Sequence, residues 1–221
     1  AHDQLTDTPT NNFAVLNPID EGNRLSTIIG QGNLELRGDI GSNQYRHGRA
    51  TFDFDITDSD GWYWEVVDTV AGSLLAGITD QLSVLSGSTV GFTGMKGVNA
   101  VSSSYSPNGL LKTTDTTYAG TTLESTAAVA GDIVQFCAKN GKLFVGKNGT
   151  YVNSGNPATE ANPLFTGLTG RFFPVAGVYD STSYNYTSIF NFGQDGTFAG
   201  NKTAQGNTDA SGFGNFFYSP P

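Results

Sequence analysis

The side chains able to do chemistry gather first at Asp53, Asp55, Asp58 and Asp60, four carboxylates in one short stretch. A calcium loop would need oxygen ligands converging in a single turn, with a glycine at its bend and a distal bidentate Glu. Placing Gly61 at that bend puts Ile56 at the first ligand and Val67 at the last, so the register fails. The plainer reading sets Asp53 and Asp55 on the solvent face of a strand, with Asp58 and Asp60 making the turn after it. Two carboxylates can also flank a glycosidic bond and hydrolyse it. Asp55 or Glu65 with Asp132 are the available pairs, but nothing in their spacing makes them converge, and Asp132 more simply starts a strand.

Other catalytic chemistries lack their parts. The single cysteine, Cys137, sits in the apolar run Ile133-Val134-Gln135-Phe136-Cys137-Ala138 and reads as a small buried hydrophobe. Of the two histidines, His2 is near the terminus, and His47 lies in the polar stretch Tyr45-Arg46-His47-Gly48-Arg49. That setting makes His47 a turn or rim residue. No Gly-x-Ser-x-Gly elbow occurs. One Cys with two His cannot close a structural zinc site. Gly91-Phe92-Thr93-Gly94-Met95-Lys96-Gly97 lacks the spacing of a phosphate loop and reads as a strand end and turn. No enzymatic activity, cofactor or metal is expected.

Charge narrows the partners. The 221 residues carry a formal net charge of −9, with 20 acidic against 11 basic side chains, the latter scattered singly. Nucleic-acid binders need a basic footprint to displace counterions from phosphates, so nucleic acid is excluded as a partner. No apolar run is long enough to span a membrane as a helix. Ala1-His2-Asp3-Gln4 lacks the basic region of a signal peptide. Three Asn-x-Ser/Thr sequons, at Asn148, Asn185 and Asn201, matter only in a eukaryotic secretory setting.

The elements that would position any site are strands. Period-two alternation recurs between Gly, Asn, Asp and Pro punctuation, and helical periodicity is almost absent. Phe52, Phe54 and Ile56 share one face of Thr51–Ile56, and the turn 58–61 leads into Trp62-Tyr63-Trp64-Glu65-Val66, which predicts a β-hairpin. Further strands are expected at 34–37, 74–78, 90–92, 133–139, 142–146, 172–178 and 188–192. Asn140-Gly141 supplies the positive φ angles of a tight hairpin turn, and a second Asn-Gly follows at 148 and 149, giving an antiparallel meander from Gly131 to Val152. Two connections are long for one domain, 102–120 and 153–170.

The first of these connections and the shorter stretch 179–186 hold the candidate binding residues. Tyr179, Tyr184, Asn185 and Tyr186 sit in a run of Tyr, Ser, Thr and Asn, and Tyr105 and Tyr118 sit in the 102–120 stretch. This is the composition of adaptable binding loops, where tyrosine offers contact area at low entropic cost. The same residues could equally be ordinary loop side chains covering a sandwich edge.

Three segments, in order, resemble a SPRY domain. The first is Gly61-Trp62-Tyr63-Trp64-Glu65-Val66. The second joins Gly131-Asp132-Ile133-Val134-Gln135-Phe136 to Asn140-Gly141-Lys142-Leu143-Phe144-Val145 and Lys147-Asn148-Gly149. The third is Phe173-Pro174-Val175-Ala176-Gly177-Val178 with Ile189-Phe190-Asn191-Phe192-Gly193. The Lys usual between the first Gly and Trp is missing. Flanking segments extend the likeness to SPRY-containing proteins of tailed bacteriophages: Leu16-Asn17-Pro18, Gly32-Asn33-Leu34, and Asn191–Asp195 with Thr197-Phe198-Ala199-Gly200-Asn201-Lys202.

The resemblance implies an all-β, antiparallel two-sheet sandwich of the SPRY or concanavalin-like jelly-roll kind, with binding loops at one edge. It implies an extended arm over 1–20, the sandwich over 21–198, and a Gly- and aromatic-rich tail over 199–221 that packs on the domain or on a neighbour. It further implies a non-enzymatic virion or extracellular protein, a head or tail fibre or decoration protein acting in assembly or host attachment. Its partners would be other virion proteins, copies of itself in a homo-oligomer, and a host surface glycan or protein. A free lectin-like glycan-binding domain and a divergent polysaccharide hydrolase are the alternatives.

Overall fold

Alternating strands joined by Gly- and Asn-rich turns bury one face each, and two sheets laid face to face satisfy both. The computed structural model of the chain describes residues 12–22, 27–38, 44–69, 74–81, 85, 95–100, 110–113, 129–180 and 186–221. The strands are β1 (Leu16–Gly22), β2 (Thr27–Gly30), β3 (Glu35–Gly38), β4 (Gln44–Ala50), β5 (Phe54–Asp55), β6 (Trp62–Asp68), β7 (Leu74–Thr79), β8 (Lys96–Ala100), β9 (Leu110–Thr113), β10 (Ile133–Lys139), β11 (Lys142–Lys147), β12 (Thr150–Tyr151), β13 (Arg171–Asp180) and β14 (Thr187–Asn191). One sheet runs β1-β4-β13-β7-β8-β9, with β5 also on β13, and the other runs β12-β11-β10-β6-β14-β3-β2. Every pairing among the described residues is antiparallel.

The core lies between the sheets. Leu36, Trp64, Val66, Val134, Phe136, Val145 and Phe190 of one sheet meet Leu16, Phe54, Leu74, Ile78, Val98, Ala176 and Val178 of the other. Trp64 and Phe136 are cross-strand partners, and their rings stack at 5.1 Å and 5°. The β10–β11 turn has φ of 49° at Asn140 and 71° at Gly141, as the Asn-Gly pair predicts. Gly77 of β7 lies opposite Gly97 of β8, and a Cβ on the first would overlap the Lys96 carbonyl oxygen. Pro174 falls in the gap on one side of β13 between its partners β5 and β4, which explains a proline in an inner strand. Pro18 sits on an edge strand, inside an irregular stretch of the β1–β4 pairing.

Three expectations need correction. The 51–56 run does not form a hairpin with 62–66. Phe54 and Asp55 pair with Phe172 and Arg171, so the chain crosses from one sheet to the other through the 56–61 turn. Phe52 does not share the buried face of Phe54 and Ile56 but is half exposed. His47 is neither in a turn nor at a rim: it is fully buried in the middle of β4, between β1 and β13. Its polar neighbours hid a strand. The expected strand at 90–92 lies outside the described residues.

After β14 the chain folds back over the outer face of the second sheet. Leu34, Val67, Ile133, Ile189 and Phe198 form a separate apolar cluster there, with Phe217 and Tyr218 packed on it. Asn191, fully buried, sets the reversal: its side-chain oxygen accepts the N–H groups of Gly193 at 2.9 Å and Asp195 at 3.1 Å. Gly193 has φ of 117°, and a Cβ there would meet the Phe13 ring at 2.7 Å. Asp195 then holds the next turn through the N–H groups of Thr197 at 2.9 Å and Ala199 at 2.8 Å.

Candidate functional site: an aromatic, acidic groove

A groove of about 750 Å³ opens beside the start of β6. Phe52, Asp53, Asp60 and Trp62 line it from one side, and Asp209 and Phe213 from the returning tail line it from the other. The turn that presents the first group is rigidly built. Asp55 accepts the N–H and hydroxyl of Thr57 at 2.9 and 2.7 Å, and Asp58 accepts the N–H of Asp60 at 3.0 Å. The turn is also docked on the β10–β11 hairpin, where Gly141 N–H donates to the Ile56 carbonyl at 2.8 Å and Asn140 N–H to that of Asp58 at 3.1 Å. The Arg171 guanidinium grips Asp53 through two hydrogen bonds of 2.6 and 2.8 Å. That hydrogen bond and charge hold the Asp53 carboxyl below its ordinary value.

The tail side is a tight loop closed by Asp209. Its side chain accepts the N–H groups of Ser211 and Phe213, both at 2.9 Å, and its own N–H donates to the Phe213 carbonyl at 2.8 Å. The loop leaves the Phe213 ring 51% exposed, beside Phe52 at 50% and Trp62 at 44%. Trp62 stacks on Phe54 at 5.7 Å and 26°, so its orientation is fixed while it stays open to solvent. Among the described residues the large exposed hydrophobics are these three aromatics with Ile19 and Val129, and only the aromatics line the groove. Among the described residues Lys139 is the one basic residue lining it.

Aromatic faces next to carboxylates bind; they do not by themselves make or break bonds. Cys137 reaches the groove lining, but burial pushes its thiol up to about 12, leaving it protonated and inert near neutral pH. The carboxylates weighed for hydrolysis are not brought together. Asp55 lies at the β5 end beside Arg171, while Asp132 serves the turn at the opposite end, accepting from Asn148 Nδ2 at 2.7 Å and Val129 N–H at 2.9 Å. Glu65 is fully buried between them, under the tail. Its carboxylate accepts Phe217 N–H at 2.9 Å, Tyr218 N–H at 2.7 Å, Tyr63 hydroxyl at 2.9 Å and Asn191 Nδ2 at 3.1 Å. Burial pushes its carboxyl above the ordinary value, and the four donors only partly offset that. Among the described residues no group of three His, Cys, Asp or Glu side chains could hold a metal ion.

No family model matches the sequence, and neither does any curated protein. Solved structures do match. The SPRY domain of human HERC1 aligns at a TM-score of 0.56 and 15% identity, over 79% of this chain and 96% of that one. A second human SPRY domain aligns at 0.53 and 14%, over 74% and 93%. The PSpry domain of TRIM65 aligns at 0.51 and 11%, over 81% and 89%. The chain has the SPRY-type fold.

Within that SPRY-type sandwich the quoted motifs become β6, the β10–β11 hairpin, and the β13 and β14 strands. Tyr179 and Tyr186 belong to the other end. Phe172 pairs with Phe54 near the groove, and Tyr179 is seven residues further along β13, about 23 Å away at ~3.3 Å per residue. Tyr105, Tyr118, Tyr184 and Asn185 lie outside the described residues, as does the Tyr179 side chain. Tyr186 is partly buried against the main core, and its carbonyl accepts the Gly38 N–H at 3.1 Å. The groove escaped sequence reasoning because Phe213 is distant in sequence and Phe52 alternates like a core residue. The Asp60-Gly61-Trp62 step, a turn feeding an aromatic, was the one local signal.

Proposed function

We propose that the chain is a non-enzymatic binding and structural module, and that the groove between Trp62 and Phe213 is its binding face. The observation carrying this is the convergence of three exposed aromatics on one groove, walled by turns that hydrogen bonds hold in place. Exposed aromatic surface gathered in a concavity marks an interaction site, whereas singly scattered hydrophobics do not. The Tyr-, Ser- and Asn-rich stretches are the competing candidate for that role, favoured by composition.

The finer proposal is a bacteriophage virion appendage, a head or tail fibre or decoration protein used in assembly or host attachment, and assembled as a symmetric homo-oligomer. Its support is the sequence likeness of the flanks, Leu16-Asn17-Pro18 and Asn191–Lys202. The alternative is a free lectin-like domain.

The test is binding of the labelled, purified chain to intact cells across a panel of bacteria, with glycan-stripped cells as controls and the oligomeric state measured alongside. Strain-selective binding by an oligomer is expected. An oligomer that binds no strain would remove host attachment and leave assembly. Release of polysaccharide fragments from the cells would overturn the non-enzymatic reading.

A further inference from the structure

The groove's charge suggests what enters it. Among the described residues its lining side-chain carboxylates are Asp53, Asp60 and Asp209, against the single ammonium of Lys139. Asp53 is already engaged by Arg171. Asp209 uses one carboxylate oxygen on its own loop, and the Asp60 side chain makes no hydrogen bond among the described residues. Two carboxylates thus retain acceptor capacity beside the exposed faces of Phe52, Trp62 and Phe213. The faces of these rings carry partial negative charge, so they attract cations as the carboxylates do. A chain of net charge −9 draws cations toward the groove and repels polyanions from it.

Resting on the proposed binding role of this groove, we infer that its occupant is a Lys- or Arg-bearing segment of a partner protein, the aliphatic stem lying on Trp62 and the cationic head between Asp60 and Asp209. Such a side chain uses both properties of the site, because long cationic residues bury their stems while the head seeks charge. A neutral sugar would use the rings and leave the charge unanswered. An acidic glycan would be repelled.

The test is selection of a random peptide library on the full chain, followed by affinities for the wild type, Trp62→Ala, and Asp60→Asn with Asp209→Asn. Circular dichroism checks that each variant is folded. The selected peptides are expected to carry Lys or Arg, to weaken as salt is raised, and to lose about tenfold or more in affinity to each variant. Peptides that bind without a cation, or that bind the Asn variant as well as the wild type, would overturn the cationic occupant. A neutral glycan array run in parallel separates the two failures. Glycan binding that depends on Trp62 would replace the ligand class and keep the groove as a binding face. No Trp62-dependent binder of either kind would remove both.

Discussion

The Glu65 carboxylate accepts the backbone N–H of Tyr218 at 2.7 Å, across 153 positions of sequence and beneath the surface of the fold. The neighbouring Phe217 N–H reaches the same carboxylate at 2.9 Å. The returning tail is therefore held partly by main-chain donors, which any residue but proline would supply. This attachment also builds the far wall of the groove, because the 209–213 loop lies on the segment Glu65 secures.

Removing that acceptor should loosen the tail before the sandwich. Glu65→Ala leaves four donors without their partner, and an unsatisfied buried donor costs about 1–3 kcal/mol. The expected loss is on the order of 3–5 kcal/mol, since such costs are not fully additive. A urea titration should show it. Hydrogen exchange should locate it, with the Phe217 and Tyr218 amides losing protection more than the amides of β10. Equal loss everywhere would mean that the tail is not a separable unit.

The pH dependence has a definite sign. Burial raises the Glu65 carboxyl above its unfolded value, so the folded chain holds that proton more tightly. Its contribution is therefore full below the ordinary carboxylate value and declines as pH rises through the raised folded one. Asp53 and Glu160, lowered by Arg171 and Lys142, act in the opposite sense and at lower pH. Subtracting the stability profile of Glu65→Gln cancels them. The wild type should then lose stability relative to the variant as pH rises above the ordinary carboxylate value. A gain would show that the four donors outweigh burial.

Gly77 and Gly97 should tolerate no side chain. A Cβ on either overlaps a backbone oxygen of the neighbouring strand, and backbone cannot rotate aside as a side chain can. Gly97→Ala should cost about 1–3 kcal/mol or more in urea unfolding. A near-neutral result would mean that β7 and β8 are further apart than described.

The sequence was most legible where local chemistry and tertiary role agree. Asn140-Gly141 marks a hairpin wherever it falls, and the alternation of β6 survives because the Trp64 side faces the core while Glu65 and Tyr63 face the tail. The turn at 58–61 was recognised, yet turn residues do not say which sheet receives the next strand, and the chain changed sheets there. β4 was missed because Arg46, His47 and Arg49 read as solvent-exposed, although both faces of that strand are covered. Nothing near Glu65 in sequence announces that two of its four partners are the amides of Phe217 and Tyr218. The groove shares that difficulty, since Phe213 meets the Trp62 region only after the tail has folded back.

The most direct test of the account compares the groove with the tyrosine stretch in one cell-binding assay, on a bacterial strain that the wild type binds. Trp62→Ala should weaken binding by about tenfold or more, as loss of an aromatic anchor does, while Tyr184→Ala with Tyr186→Ala should leave it nearly unchanged. Binding that survives Trp62→Ala and is lost with the tyrosines would contradict the groove as the binding face and give that role to the tyrosine stretch.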